Sequence, residues 1–555
     1  MRKFKRWKML TSAVLVGASA ITLTACGGGG SDSSTTAATT TGSSSGSATT
    51  SAAGTTTASS GSSDASDLSN TLVYAGEGTD SINPILSTHG ELTTIVFDGL
   101  LKLDGNGKPV ECLAESYEFD EASNKYTFKL RDGVKWHDGE SFDADDVVYT
   151  YTTMKNDETI SASAKSDYED ISDIKKVDDH TVEITLSQYN AAMPTCFSMG
   201  ILPQHLYEGQ DLTTTELNQK PVGTGKYKLV SWDTDGGMIT FEKNEDYFGN
   251  VPKIDRLVYK TVADETTKAT MVQSGEADLA WLNSKYASTF DGKDGFTEWV
   301  FTTADYRGAS MDMPSDFWKD NADSIGVLNY AIDKESIVKN VLVGDGETAY
   351  SPIQRNPIGT NKDADIYPYD VNKFHEEMEK LGWKKGSDGI YERNGRKFHF
   401  TIQTRDYEEE RVDIANVMSD MLKQVGVDME VVLVTKFDWK SGYDGFLAGF
   451  ATEFDPDMIY KQFVTGASDN SRGYSNAEVD KLLKEGRYEK DEAKRKEIYG
   501  EFEKVYAENP SILLVVYLDG NYVGTNALTG LDTTRVLGHH AVGVMWNIEE
   551  WELNR

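Results

Sequence analysis

Between residues 125 and 136, Tyr126, Phe128 and Leu130 alternate with Thr127, Lys129 and Arg131, the period of a half-buried strand. A turn follows at His137-Asp138-Gly139, and then Val147, Tyr151 and Met154 recur at helical spacing. Asp143, Asp145 and Asp146 cluster where a helix N-terminus favours negative charge. Strand alternation returns at 180–187, with Val182, Ile184 and Leu186 on one face. Further on, Phe398, Phe400 and Ile402 mark a strand, and Ile414, Val417, Met418, Met421, Leu422 and Val425 form a helical stripe. Gly426 sits at the C-cap position, and 429–434 reads as strand again. That is a βαβ crossover, so the C-terminal half should hold an α/β lobe with a parallel sheet. Near the end, the stripe Ile498, Phe502, Val505 and Tyr506 stops before Pro510, and 512–518 is apolar enough for a central strand.

The first 25 residues break this pattern. A basic head of Arg2, Lys3, Lys5, Arg6 and Lys8 precedes an apolar run from 9 to 24, too short and too rich in Ser and Thr for a comfortable membrane span. It reads as a secretory signal, which places the mature chain outside the cytoplasm. Residues 27–67 are almost wholly Gly, Ser, Thr and Ala, with no apolar period on which a core could form. They read as a flexible tether with a reach on the order of 35 Å. The remaining body exceeds what one hydrophobic core usually serves, so at least two lobes are expected. The whole chain carries a formal charge of −35, and loss of the five cationic residues of the signal takes it to −40. Such a surface repels nucleic acid, and no basic patch interrupts it. Besides Cys26 there are Cys112 and Cys196, compatible either with a disulfide or with two buried thiols.

Catalytic patterns are missing. From Leu68 onward there is no Gly-x-Ser-x-Gly elbow and no His-Glu-x-x-His. Gly225-Lys226 lacks the opening Gly and following hydroxyl of a phosphate loop and reads as a turn. Asp104-Gly105-Asn106-Gly107 and Asp233-Thr234-Asp235-Gly236 lack the remaining calcium ligands and read as hairpin turns. His539-His540 is the only histidine pair, and adjacent histidines share a metal only from an irregular loop with further ligands. No catalytic residue, metal ligand or cofactor is expected.

Leu23-Thr24-Ala25-Cys26 resembles the lipobox of bacterial lipoproteins. The resemblance implies that the Cys26 thiol is diacylated after cleavage, and two acyl chains anchor stably. In the body, Ile82-Asn83-Pro84, Phe97-Asp98-Gly99-Leu100, Leu113-Ala114-Glu115-Ser116-Tyr117 and Asp132-Gly133-Val134-Lys135-Trp136-His137-Asp138-Gly139 occur in order. Pro221-Val222-Gly223-Thr224-Gly225-Lys226-Tyr227, Ser274-Gly275-Glu276-Ala277-Asp278, Leu328-Asn329-Tyr330-Ala331-Ile332-Asp333 and Gly473-Tyr474-Ser475-Asn476 follow. Together they resemble family 5 extracellular solute-binding proteins of ABC importers, a group that includes oligopeptide, dipeptide and nickel binders. The resemblance implies an α/β, bilobed periplasmic-binding-protein-like fold of class II type with an extra domain inserted in the first lobe. On that pattern 68–101, 220–325 and 518–555 form the first lobe, 102–219 the insertion and 326–517 the second lobe, with crossings near 325 and 518.

The implied function is capture of a short peptide in the interlobe cleft and delivery to a membrane permease, by a monomer held at the extracytoplasmic face of the membrane through its lipid alone. Alternatives are a receptor for a nickel chelate, haem or oligosaccharide, or a surface adhesin or hydrolase on the same scaffold. Peptide binders of this family carry an aspartate for the ligand's ammonium shortly before an Asp-Pro dipeptide. Here that position is Thr452, with Glu453 next to it, ahead of Asp455-Pro456. The fold implied by the resemblance nominates Glu77, Thr79 and His89 on the first lobe and Thr452, Glu453, Asp455 and Tyr474 on the second as ligand contacts. Trp439, Phe450 and Phe454 are candidates for packing on ligand or for ordinary core.

Overall fold

Two long strands, Phe296–Met311 and Ile512–Thr525, run antiparallel through the centre of an eleven-stranded sheet. The computed structural model describes residues 70–555 apart from 87–89, 360, 438–441 and 453. The signal-like stretch, Cys26 and its tether, His89, Trp439 and Glu453 therefore lie outside the described residues.

At one end, Ile512–Thr525 pairs with Leu279–Leu282, followed by Thr71–Gly76, Arg256–Thr261, Met238–Lys243 and Tyr227–Asp233. At the other, Phe296–Met311 pairs with Gly445–Phe450, and then come His399–Arg405 and Asp428–Val434, parallel to one another. The expected crossover is present as His399–Arg405, the Glu409–Val425 helix and Asp428–Val434. Gly426 closes the helix with φ of 97°, where a Cβ would meet the Gly389 carbonyl at 2.5 Å.

The strand alternation of Ile512–Thr525 explains why the second half is layered. Leu513 and Val515 face one apolar cluster with Phe400, Ile414, Met418 and Leu422. Ile512 and Leu514 face the opposite cluster, with Val479, Leu483, Phe502 and Tyr506 of the Ala477–Tyr488 and Glu492–Glu508 helices. Each such side chain, fully buried, contributes about 1.5–3 kcal/mol.

The central pair is not regular. Its register shifts between Thr302 and Tyr306, opposite Asp519 and Tyr517. Arg355 spans the irregularity: its Nη1 donates to the Thr303 carbonyl at 3.0 Å and to the Leu518 carbonyl at 2.5 Å, while the guanidinium pairs with Glu347 and Asp519.

Residues 114–186 add a separate four-stranded antiparallel sheet, Ala114–Asp120, Lys125–Leu130, Thr181–Leu186 and Ile171–Asp178. The Ala144–Asn156 helix packs on it, started by a capping box between Asp143 and Asp146. Phe128, Val182 and Val147 share one continuous apolar cluster with Leu72, Tyr227 and Trp551, so this sheet and the adjoining half of the molecule are welded. Its far side touches the other half. Arg487 Nη1 meets Glu169 at 2.8 Å, Lys461 meets Asp167 at 2.8 Å and Lys490 meets Glu121 at 2.9 Å.

Two choices left open by sequence close here. Cys112 and Cys196 are separate free thiols, the first against Asp98 and the second against the Asp167 carbonyl. Asp104 accepts from the Asn106 and Lys108 amides and Asp233 from the Gly236 amide, so both Asp/Gly loops are turns held by their own aspartate. No described helix is long and apolar enough to cross a membrane.

Candidate functional site

A chain of polar contacts crosses between the two halves beside the strand irregularity. Asp305 stands in the shifted segment, 1 % exposed, and its Oδ1 accepts from His539 Nδ1 at 2.8 Å and from Arg307 Nη1 at 2.5 Å. Its Oδ2 accepts from the His540 amide at 3.0 Å. Arg411, from the first turn of Glu409–Val425, reaches His539 Nε2 and His540 Nε2, each at 3.4 Å. His540 Nδ1 meets Glu77 at 3.2 Å. Arg411 thus links the helical layer of one half to Glu77 at the end of Thr71–Gly76 in the other. Lys285 and Tyr286 of the Glu77 half also pair with Glu409.

The charge states follow from the surroundings. Burial alone would push the Asp305 carboxyl up, but Arg307 beside it outweighs that and holds it well below the usual carboxylate range. Burial pushes His539 down to about 3 against the pull of Asp305, so its imidazole is neutral and its Nε2 accepts from Arg411. Burial would also raise Glu77, and the hydrogen bond and charge of His540 overcome it and lower the carboxyl. Room for this cluster comes from Gly449: a Cβ there would meet Arg307 Nη1 at 2.4 Å and His539 Cε1 at 2.6 Å. His540 takes φ of 56°, the irregular backbone that lets adjacent imidazoles point to different partners.

Next to Glu77 a cavity of about 60 Å³ opens to solvent, lined by Tyr74, Glu77, Thr79, Glu91, Thr93, Tyr259, Trp281, Tyr522 and His540 among others. Its aromatic wall is rigid: the Tyr74 and Tyr259 rings pack edge to face at 5.1 Å. Tyr259 OH donates to the Glu77 carbonyl and Tyr522 OH to the Ala541 carbonyl. Glu91 accepts from the Gly543 and Met545 amides at 2.7 and 3.0 Å, and burial still raises its carboxyl.

Contacts from both halves thus meet beside a cavity lined by one of them, and comparison with known proteins gives the chain a family. The model of bacterial extracellular solute-binding proteins, family 5, matches residues 108–492. The chain belongs to that family. Among family 5 relatives, the oligopeptide-binding protein AppA of Bacillus subtilis is 29% identical over 506 residues, 85% of this chain and 89% of its own. The structure of AppA with a nonapeptide superposes with a TM-score of 0.76, covering 87% of this chain and 99% of that one. NikZ from Campylobacter jejuni in complex with Ni(L-His) superposes at 0.81 with 32% identity, over 87% of this chain and 99% of its own. The bilobed fold of family 5 is thus the fold of this chain.

Within that family 5 cleft the nominated residues divide. Glu77 and Thr79 line the cavity, and the Thr79 hydroxyl donates to the Ser81 carbonyl. The three described second-lobe nominations make contacts within their own lobe. Thr452, 1 % exposed, donates its hydroxyl to the Pro352 carbonyl, while its own carbonyl accepts from Asn356. Asp455 is held bidentately by Arg495 at 2.5 and 2.7 Å and caps the turn at Asp457. Tyr474 is packed against Phe463 and Tyr506 in the core. Those three side chains support the second lobe from within. Phe454 lies under the Arg535 guanidinium and Phe450 beside Tyr306.

Sequence reasoning missed Asp305, Arg307 and Arg411 and weighed the histidine pair only as a metal site. Among the described residues no group of three or more His, Cys, Asp or Glu is placed to hold a metal. One signal was present: Arg411 occupies the same face as Ile414, Ala415, Met418, Leu422 and Val425, a charge on the buried stripe of its helix.

Proposed function

We propose that this chain is the solute receptor of an ABC importer, capturing short peptides between its lobes and passing them to a membrane permease without covalent change. The observation that carries the reading is the junction in which Glu77 on one lobe and Arg411 on the other are tied through His540 beside an open cavity. Relatives named for oligopeptide and dipeptide binding support it. The lobes meet at the shifted strands near 302–306 and 517–519, our proposed hinge, where few residues absorb the rotation. The set 68–101, 220–325 and 518–555 with the 102–219 insertion remains our proposed division, and Glu77, Thr79, His89 and Glu453 our proposed ligand contacts. Cys26 is the proposed lipid anchor at the extracytoplasmic face of the cell membrane.

The similarity to NikZ favours one second reading, a receptor for a nickel–histidine chelate with the exposed edge of His540 at the cleft. Native mass spectrometry of the full-length protein, before and after mild unfolding, separates the two. A ladder of peptide masses released on unfolding upholds the peptide receptor. A single discrete mass with nickel transfers the assignment to the chelate.

A further inference from the structure

Resting on the peptide reading, the cavity of the first lobe identifies which end of the ligand it takes. Sequence resemblance expects the ammonium of a peptide to be paired from the second lobe, near Asp455-Pro456. There the Thr452 hydroxyl is spent on the Pro352 carbonyl and Asp455 on Arg495, and Glu453 lies outside the described residues. The described carboxylate that faces open space is Glu77. Its side chain is 49% exposed, and its contacts with His540 Nδ1 are 3.2 and 3.4 Å long, longer than a good charge-assisted bond.

The lining has one electrical sign. Glu77 and Glu91 contribute carboxylates, and among the described lining residues there is no lysine or arginine. Lys268, the nearby ammonium over Trp281 at 5.1 Å, is already paired with Glu265 at 3.0 Å. Glu91 is fixed by two backbone amides, so its carboxyl is part of the wall rather than a mobile partner. Tyr74, Tyr259, Trp281 and Tyr522 supply aromatic rings, whose electron-rich faces attract cations and do nothing for a carboxylate. Inside, the Thr93 hydroxyl is buried and finds no hydrogen-bond partner among the described residues. It is available to a ligand.

We propose that this cavity receives an ammonium group of the ligand, with Glu77 as its counter-ion, so that the amino-bearing end of a peptide is held by the first lobe. The ammonium has three donors on a compact charge where the facing edge of His540 offers one ring nitrogen at 3.2 Å, so it displaces the imidazole from Glu77. A carboxylate end is repelled by Glu77 and lies elsewhere in the cleft. The ammonium is that of the peptide N-terminus or of a lysine side chain, which share this chemistry.

The test is calorimetric titration of the full-length protein, freed of cargo, with three mixtures of tri- to nonapeptides. One is unmodified and lysine-free, one is the same mixture N-acetylated, and one is N-acetylated but contains lysine. The unmodified mixture should bind, and N-acetylation should weaken binding roughly tenfold to a hundredfold, the worth of a hydrogen-bonded charge pair. Glu77→Gln should weaken the unmodified mixture as much, with an unchanged unfolding midpoint when ligand-free, while Glu77→Asp keeps part of the affinity. Recovery in the third mixture assigns the lysine side chain as an alternative source of the same group. Equal affinity for the first two mixtures, or unaltered affinity in Glu77→Gln, overturns the inference and leaves the peptide receptor standing. Failure of wild-type protein to bind any mixture removes the peptide reading, and the inference with it.

Discussion

His137 spends both ring nitrogens on backbone: Nδ1 accepts from the Gly223 amide at 3.2 Å and Nε2 donates to the Gly225 carbonyl at 3.0 Å. A second proton would turn Nδ1 toward an N–H, and burial pushes the imidazole down to about 4, below its ordinary 6.5. The folded value lies below the unfolded one, so the unfolded chain takes the proton first. His137 therefore contributes stability above pH 6.5 that drains away as pH falls toward 4, up to about 3 kcal/mol. Urea unfolding between pH 7 and 4 should show this slope, shallower in His137→Gln. The buried Asp455–Arg495 pair gives a second expectation. Asp455→Asn leaves Arg495 buried without its anion and should cost about 3–5 kcal/mol of stability, with ligand affinity of the folded fraction unchanged. An affinity loss without a stability loss would return Asp455 to the cleft. Gly449→Ala should do the reverse of Asp455→Asn in one respect: its Cβ intrudes on Arg307 and His539, so ligand affinity falls together with stability. Titration calorimetry beside a denaturation curve reads both.

Elements whose residues obey one period were legible, and those at the cleft were not. Lys125–Leu130, Thr181–Leu186, Ala144–Asn156 and the crossover through Glu409–Val425 follow their apolar spacing because each packs one face on a core. The strand expected to end at Leu518 instead continues to Thr525. Asp519-Gly520-Asn521 looks like a turn, yet each residue has a tertiary reason to stay extended. Asp519 pairs with Arg355, Gly520 admits Ala541 at close range, and Asn521 reaches Ser284. Such contacts come from segments far away in sequence and leave no local period. The same holds for the site: Glu77 faces the cavity, whereas Thr452 does not, because the Pro352 and Asn356 contacts that draw Thr452 inward lie about a hundred residues earlier. At the end of the crossover helix, Gly426→Ala meets both an unfavourable φ and the Gly389 carbonyl. A loss of about 1–3 kcal/mol should appear in thermal unfolding.

At the scale of the molecule, the halves are joined at the shifted strands under Arg355, through the Arg411–His540 and Lys285–Glu409 contacts, and at the separate contact of residues 121–169 with Lys461, Arg487 and Lys490. The acidic partners at that last place are 35% to 72% exposed, so each pair is worth little and is screened by salt. Neutralising Glu121, Asp167 and Glu169 together to Gln, Asn and Gln should leave the unfolding midpoint nearly unmoved. It should nonetheless enlarge the ligand-free radius of gyration in low-salt X-ray scattering, and an identical radius would mean that the strands alone set the angle. The last residue offers another consequence. Arg555 donates to the Thr71 carbonyl at 3.0 Å and pairs with Asp278, so the final side chain rests on the first strand. The body from 70 to 555 is therefore nearly a closed loop of chain, and nearby ends are the condition under which circular permutation succeeds. A short Gly/Ser bridge from Arg555 to Asn70, with new ends opened in the 291–295 turn, would carry a pair of fluorophores without cutting the sheet at its centre.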